Sequence, residues 1–305
     1  LIGFSLALLC KRDGNLSSIH RHMANRYLKL CQTLGIVPRQ VVSRSQLPLI
    51  LGRVNLSVFE ALVFDFCGLV LSAAEKQWFS VDGKELRGSI QKGDKRGEAI
   101  VSLVGHKNGQ TQGQTFYSGK KDSERPAVQD LLKAYHVLDQ KISMDALHFI
   151  PATLQNIHQA GGIYMASLKE NQEEMCAEMN WALKQFRIDY QEVTSEKGHG
   201  RLEKRTYQSR DVRDAYFDER WENCGLSTLI KVNRSRMDYK TKNHSEEVAF
   251  YMTNFKISDS KQATECFLAI RNHWAVETSN HVRDVSLKED DFRTKKTKSR
   301  KPLRL

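Results

Sequence analysis

Between Trp78 and Leu168 the chain is built of short apolar runs of strand length, and two of them end in a carboxylate. WFSVD (78–82) is the first and KISMD (141–145) the fourth. Between them, EAIVSLVG (98–105) and QTQGQTFYSG (110–119) flank HKNGQ, whose Asn108-Gly109 is a strong hairpin signal because both residues tolerate positive φ. From Ser123 to about Tyr135, Val128, Leu131 and Leu132 share one side, which predicts a helix capped by Ser123. Pro151–Ala160 predicts a second helix, closed by Gly161-Gly162, and GIYMASL (162–168) a further strand.

Three strands with one hairpin, then helix, strand, helix, strand, is the order of a ribonuclease-H-like α/β sheet. On either side the pattern changes. Residues 1–75 read as a helical domain: Ile19, Met23, Tyr27, Leu30, Cys31 and Leu34 share one helical face, Leu56–Leu71 is a dense apolar run, and LIGFSLALLC (1–10) reads as the buried end of a helix. Residues 171–186 predict a helix, 187–255 are strand-rich, and a long helix is expected from about Ser260 to His281. The last fourteen residues, FRTKKTKSRKPLRL, are strongly basic without an acid. Beginning with Leu1, the chain reads as a fragment whose start lies upstream.

Charge narrows the function. The net charge of +11 favours polyanionic partners, nucleic acid first. No apolar run reaches the roughly 18 residues of a membrane helix. Six scattered cysteines form no C-x-x-C pair, which argues against zinc ribbons and suits a reducing cytoplasm.

In the predicted order the first and fourth strands are neighbours, so Asp82 and Asp145 point to one edge of the sheet. Glu277 lies on the closing helix in HWAVETSNH. Three converging carboxylates are hard oxygen donors suited to Mg²⁺ or Mn²⁺, the ions phosphodiester chemistry uses. Each acid taken singly also has a structural explanation. Asp82 precedes a turn-forming Gly83, Asp145 can cap the following helix, and Glu277 can pair with His273 one turn back.

A resemblance adds to this. VDGKELRGS, MDALH, GGIYMASLKENQ, KGHGRLEKR, VAFYMTNF and RNHWAVETSNH…DVSLKEDDFR occur in that order and resemble bacterial insertion-sequence transposases of the DDE class, in the H-repeat-associated group. The similarity runs from about residue 40 to 294. It implies an α/β ribonuclease-H-like mixed sheet with flanking helices, an N-terminal helical domain and a β-rich insertion between Lys169 and Ser260, before the last catalytic helix. The expected divisions are 1–75, 76–170, 171–258, 259–291 and a basic tail at 292–305. The family's two Asp and Glu fall on Asp82, Asp145 and Glu277, as catalytic residues and ligands of Mg²⁺ or Mn²⁺. Lys84 and Arg87, the K-x-N-Q segment Lys169, Asn171 and Gln172, Arg201 of the HGR-x-E-x-R segment, and His273 match positions expected to contact DNA. His199 is a weaker metal candidate. The implied partners are DNA, as element ends and target, and a second copy in a synaptic complex, in the bacterial cytoplasm at the nucleoid.

Two departures stand out. Thr278 replaces the family's usual Asn after the Glu, and Val282 follows His281 where an aromatic residue is usual, as if one residue were lost. These imply a degenerate copy that keeps its three acids with impaired strand transfer. A structure-specific nuclease on the same fold and an inactive DNA-binding copy are the rival readings.

Overall fold

The structure is a computed structural model. It describes residues 3, 4, 7, 15–55, 58, 59, 62, 75–90, 93, 95–117, 121–169, 172–185, 187–198, 200–286 and 290, with 121–123, 182 and 184 described by backbone alone. The Leu56–Leu71 run is mostly outside these residues, and Asn171, His199 and the tail at 292–305 are wholly so.

The described strands are β1 (Trp78–Glu85), β2 (Ala99–Gly105), β3 (Thr111–Tyr117), β4 (Lys141–Met144), β5 (Ile163–Leu168), β6 (Tyr190–Gly198), β7 (Arg201–Asp211), β8 (Thr228–Asp238) and β9 (His244–Thr253). They form one mixed sheet in the order β3-β2-β1-β4-β5-β9-β8-β7-β6. The helices are α1 (Leu16–Thr33), α2 (Leu47–Leu51), α3 (Lys121–Ala134), α4 (Pro151–Gln159), α5 (Glu173–Gln185), α6 (Ser260–Asn272) and α7 (Trp274–His281), followed by a π-helical turn, Val282–Ser286.

Local chemistry sets this order. The β2–β3 hairpin turns at Gly109, which takes φ +64°. Strand β1 pairs antiparallel with β2 and parallel with β4, and β4 pairs parallel with β5 through the α4 crossover. Alternation divides the sheet's faces. Phe79, Val81, Ile142, Met144, Tyr164 and Ala166 pack on one face with Val128 and Leu131 of α3, Leu154 and Ile157 of α4, and Met179 of α5. On the other face Met165, Tyr207, Ile230 and Val232 meet Ala263, Cys266, Phe267 and Ile270 of α6. The sheet is thus covered by helices on both sides, an α/β arrangement.

The strand-rich stretch beyond residue 187 joins this sheet: β9 pairs antiparallel with β5, and β8, β7 and β6 follow outward. Phe250 stands beside both Leu168 of β5 and Lys231 of β8. Beyond that level β6–β9 continue as an antiparallel arm, past the ends of β4 and β5 where Asp145 lies.

Three details differ from the sequence expectation. Strand β1 runs on through Gly83 to Glu85, so Asp82 lies within the strand rather than at its end and Gly83 makes no turn, because both stay paired with β2. Helix α3 starts at Lys121, so Ser123 lies within its first turn rather than capping it. The expected helix over 260–281 is divided at His273, which keeps helical dihedrals (φ −53°, ψ −30°) and whose N–H still bonds to the Ala269 carbonyl at 3.0 Å. At the N-terminal end, Phe4, Ala7, Ile19, Leu47 and Leu51 form a small core of their own. Among the described residues no helix is long and apolar enough to cross a membrane.

Candidate active site

Asp82 and Asp145 come together because β1 and β4 are parallel and in register. Ser80 faces Ser143 and Val81 faces Met144, and the next step brings Asp82 beside Asp145. Neighbouring strands lie ~4.8 Å apart, so like charges there repel. Asp145 also caps the 3-10 turn Ala146–His148, its Oδ1 accepting from the Leu147 N–H at 3.0 Å. Its structural role and its place in the cluster are therefore compatible.

Helix α7 closes over β1 and β2. Asn280 Nδ2 donates to Asp82 Oδ2 at 3.2 Å. In the turn beyond, the buried Arg283 reaches Ser102 Oγ at 3.1 Å, and Ser102 is the β2 partner of Asp82. Lys84 forms an ion pair with Asp284 of the same turn. The segment after His281 thus remains docked on the β1–β2 pair.

Burial pushes the Asp82 carboxyl up to about 7, and Asp145, Glu124 and Glu277 push the same way. Glu124 is the acid the sequence reading missed. It sits in the first turns of α3, within a polar KDSERP stretch that reads as a solvated helix start. Tyr117 donates to its Oε2 at 3.0 Å, and His148 Nε2 lies 3.3 Å from its Oε1 and 3.8 Å from Asp145 Oδ1. Burial alone would raise Glu124, but His148 and Tyr117 outweigh it and hold the carboxyl below its usual value. Gly83 makes this approach possible: a Cβ there would lie 2.5 Å from Glu124 Cδ and 2.8 Å from the Tyr117 hydroxyl.

Glu277 is exposed on α7. Desolvation raises its pKa, while Lys169 and Arg234 oppose the rise. Lys169, at the end of β5, and Arg234, on the arm, are thus the cations beside it. Among the described residues no three His, Cys, Asp or Glu side chains are drawn tightly enough together to hold an ion as they stand.

The remaining sequence candidates scatter. His273 is turned to the sheet, its Nδ1 2.9 Å from Ser143 Oγ, and not to Glu277. Arg87 is exposed, and its backbone N–H donates to Asp290 Oδ1 at 3.0 Å. Gln172 begins the α5 region, its N–H bonded to Lys169 O. Arg201 lies at the far end of β7, opposite Asp238, roughly 20 Å along the arm from the Phe250 level at ~3.3 Å per residue. Glu203 and Arg205 of the same motif are buried in an ion cluster with Arg236.

No family model matches the chain. "Putative protein YbfL" of Escherichia coli K12 is 31% identical over 74% of this chain and 60% of its own length. "H repeat-associated putative transposase YhhI" of the same strain is 30% identical over the same shares. "Putative transposase YncI" of E. coli O157:H7 is 26% identical over 81% of this chain and 64% of its own. The chain is therefore homologous to proteins named H repeat-associated and other putative transposases, and its match spans about 60% of the length of these relatives. Among solved structures, Streptomyces venezuelae DesVI aligns over 42% of the chain at 13% identity with a TM-score of 0.19, too low to inform the fold.

Proposed function

We propose that this chain is a DDE-class insertion-sequence transposase with a ribonuclease-H-like core, acting in metal-dependent DNA cleavage and strand transfer. The carrying observation is Asp82 and Asp145, each the residue after the last register pair Val81–Met144, with Asp82 raised to about 7 by burial and by Asp145, Glu124 and Glu277. Such crowding of carboxylates is costly for a fold unless a cation relieves it. The order β3-β2-β1-β4-β5 supports the core assignment. Strands β6–β9 then correspond to the β-rich insertion within 171–258, and α6–α7 to the closing region within 259–291.

Mg²⁺ or Mn²⁺ fits this donor set, since Asp82, Asp145 and Glu277 offer hard oxygens and the carboxylates around Asp82 disfavour its charged form. Such an ion, when bound, activates the attacking oxygen and stabilises the leaving one in an in-line displacement. The chain's own groups do the rest. Asn280 fixes the orientation of the Asp82 carboxylate, and Lys169 and Arg234 draw a phosphodiester toward Glu277. The net charge of +11 attracts the DNA backbone as a whole. Element ends and target are the DNA partners, brought together by two copies of the chain in a synaptic complex at the nucleoid.

The test is nicking of element-end DNA in Mg²⁺ or Mn²⁺. It is expected in the wild type and lost in Asp82→Ala, Asp145→Ala and Glu277→Ala variants that remain folded. Full nicking in EDTA, or by any of the three variants, overturns the assignment. Nicking without joining to a target marks a nuclease, and DNA binding without nicking marks an inactive copy.

A further inference from the structure

Beneath the carboxylates lies a second polar layer. Ser143 of β4 is buried, at 1% exposure, and its Oγ lies 2.9 Å from His273 Nδ1, 2.8 Å from His106 Nε2, and 3.2 Å from Ser80 Oγ and the Phe79 carbonyl. Burial holds both imidazoles far below their usual range, His106 at about 3 and His273 at about 4, so both rings are neutral at ordinary pH. The hydroxyl makes at most three of these four contacts at once: with the His106 Nε2–H and His273 Nδ1–H tautomers both rings donate to Ser143 Oγ, and its own proton is left for either the Phe79 carbonyl or Ser80 Oγ.

The placement of this knot is informative. Ser80 and Ser143 are register partners, and each lies two residues before an aspartate of the site on the same sheet face. His273 lies four residues before Glu277 on the same helix face. Two strand residues advance ~6.6 Å and four helical residues ~6 Å, so a contact at His273 brings Glu277 level with the next same-face pair, Asp82 and Asp145. A further rung lies below. Glu265 of α6 accepts from Trp78 Nε1 at 2.8 Å and pairs with Lys141, and Trp78 and Lys141 are again register partners. The helix is thus met at two successive polar rungs of the β1–β4 pair before the carboxylate rung.

We propose that Ser143 and His273, supported by Ser80 and His106, are positioning residues: their hydrogen bond sets where α7 sits along β1 and β4, and so the level at which Glu277 faces the two aspartates. The proposal rests on the reading of Asp82, Asp145 and Glu277 as the site. It gives His273 a task directed at the sheet. A small serine is needed at the rung because a larger side chain would hold the imidazole away. The division between α6 and α7 falls at this same residue.

The experiment uses the full chain with Ser143→Ala, His273→Leu and His273→Asn, whose side-chain amide replaces the Nδ1 donor. Hydrogen exchange of 274–281 is expected to accelerate about tenfold or more in Ser143→Ala and His273→Leu, with 260–268 unchanged and His273→Asn near wild type. Mn²⁺ affinity, read by electron paramagnetic resonance, is expected to fall about tenfold in the same two variants and recover in His273→Asn. The double variant Ser143→Ala/His273→Leu is expected to add little to Ser143→Ala, since that change has already removed the Ser143–His273 bond. Unchanged exchange in folded Ser143→Ala and His273→Leu overturns the proposal, as does equal acceleration across 260–281, the mark of general loosening. Loss of folding in His273→Leu with full rescue by His273→Asn still supports the bond, and loss in both overturns it. A wild type that binds no Mn²⁺ sinks the site assignment, while the exchange comparison still decides the tether.

Discussion

The fold changes the state of Asp82 strongly. Its pKa stands at about 7 against 3.8 for the free side chain, so folding favours the neutral form. Stability from this group is fully present below pH ~3.8 and is lost as pH rises through ~7. Asp82→Asn is therefore expected to match the wild type near pH 3.8 and to exceed it by roughly 1–3 kcal/mol at pH 8, after discount for partial exposure. Urea denaturation in EDTA at several pH values measures this, and a constant gap across pH would contradict it. A neighbouring change tests the missed acid. Gly83→Ala places a Cβ where Glu124 and Tyr117 now meet, so Glu124 must swing away. Loss of the Tyr117 bond is expected to cost about 1 kcal/mol, and the Asp82 pKa should fall as one negative neighbour leaves. An NMR titration of Asp82 that is unmoved by the substitution would refute the coupling.

The secondary elements were largely legible because each is specified locally. Asn108-Gly109 marks the hairpin, Pro151 opens α4, and the carboxylates at 82 and 145 lie where their strands meet. What periodicity does not carry is partnership across distant segments. Glu124 is an ordinary polar residue until Gly83 lets it approach β1, Ser143 looks unremarkable in sequence, and His273, expected there to contact DNA, gives no sign of its partner on β4. The division between α6 and α7 at His273 is not legible either, since the helical pattern runs through it unbroken. Likewise, the stretch over 187–255 reads as strands, but its union with β5 depends on pairing that sequence pattern does not encode. The arm formed by these strands carries a prediction. Arg201 is partly exposed near its end, and Arg236 lies across the β7–β8 pair from Glu203. If the arm follows a DNA backbone, Arg201→Ala should weaken binding to all sequences alike and reduce the salt slope by about one. A loss confined to one DNA sequence would instead mark base reading.

At the scale of the molecule, electrostatics and topology dominate. A chain of net charge +11 that binds DNA through phosphates should lose affinity steeply between ~50 and ~200 mM salt. Removing residues 292–305 should lower affinity for specific and unrelated DNA by the same factor, as filter binding or fluorescence anisotropy would show. A flat salt response, or loss of sequence preference on removal of the tail, would be inconsistent with this account.

The position of β9 and α6–α7 at the end of the described fold has a consequence in time. Strands β1–β5 complete their pairings with one another from residues 78–168, and with them the two aspartates find their places. The third carboxylate arrives after a long excursion through the arm, once β9 has returned to β5 and α6 has docked. Contacts of such sequence separation close slowly. A nascent polypeptide emerging from the ribosome would therefore bring Asp82 and Asp145 together well before Glu277 is carried onto the sheet.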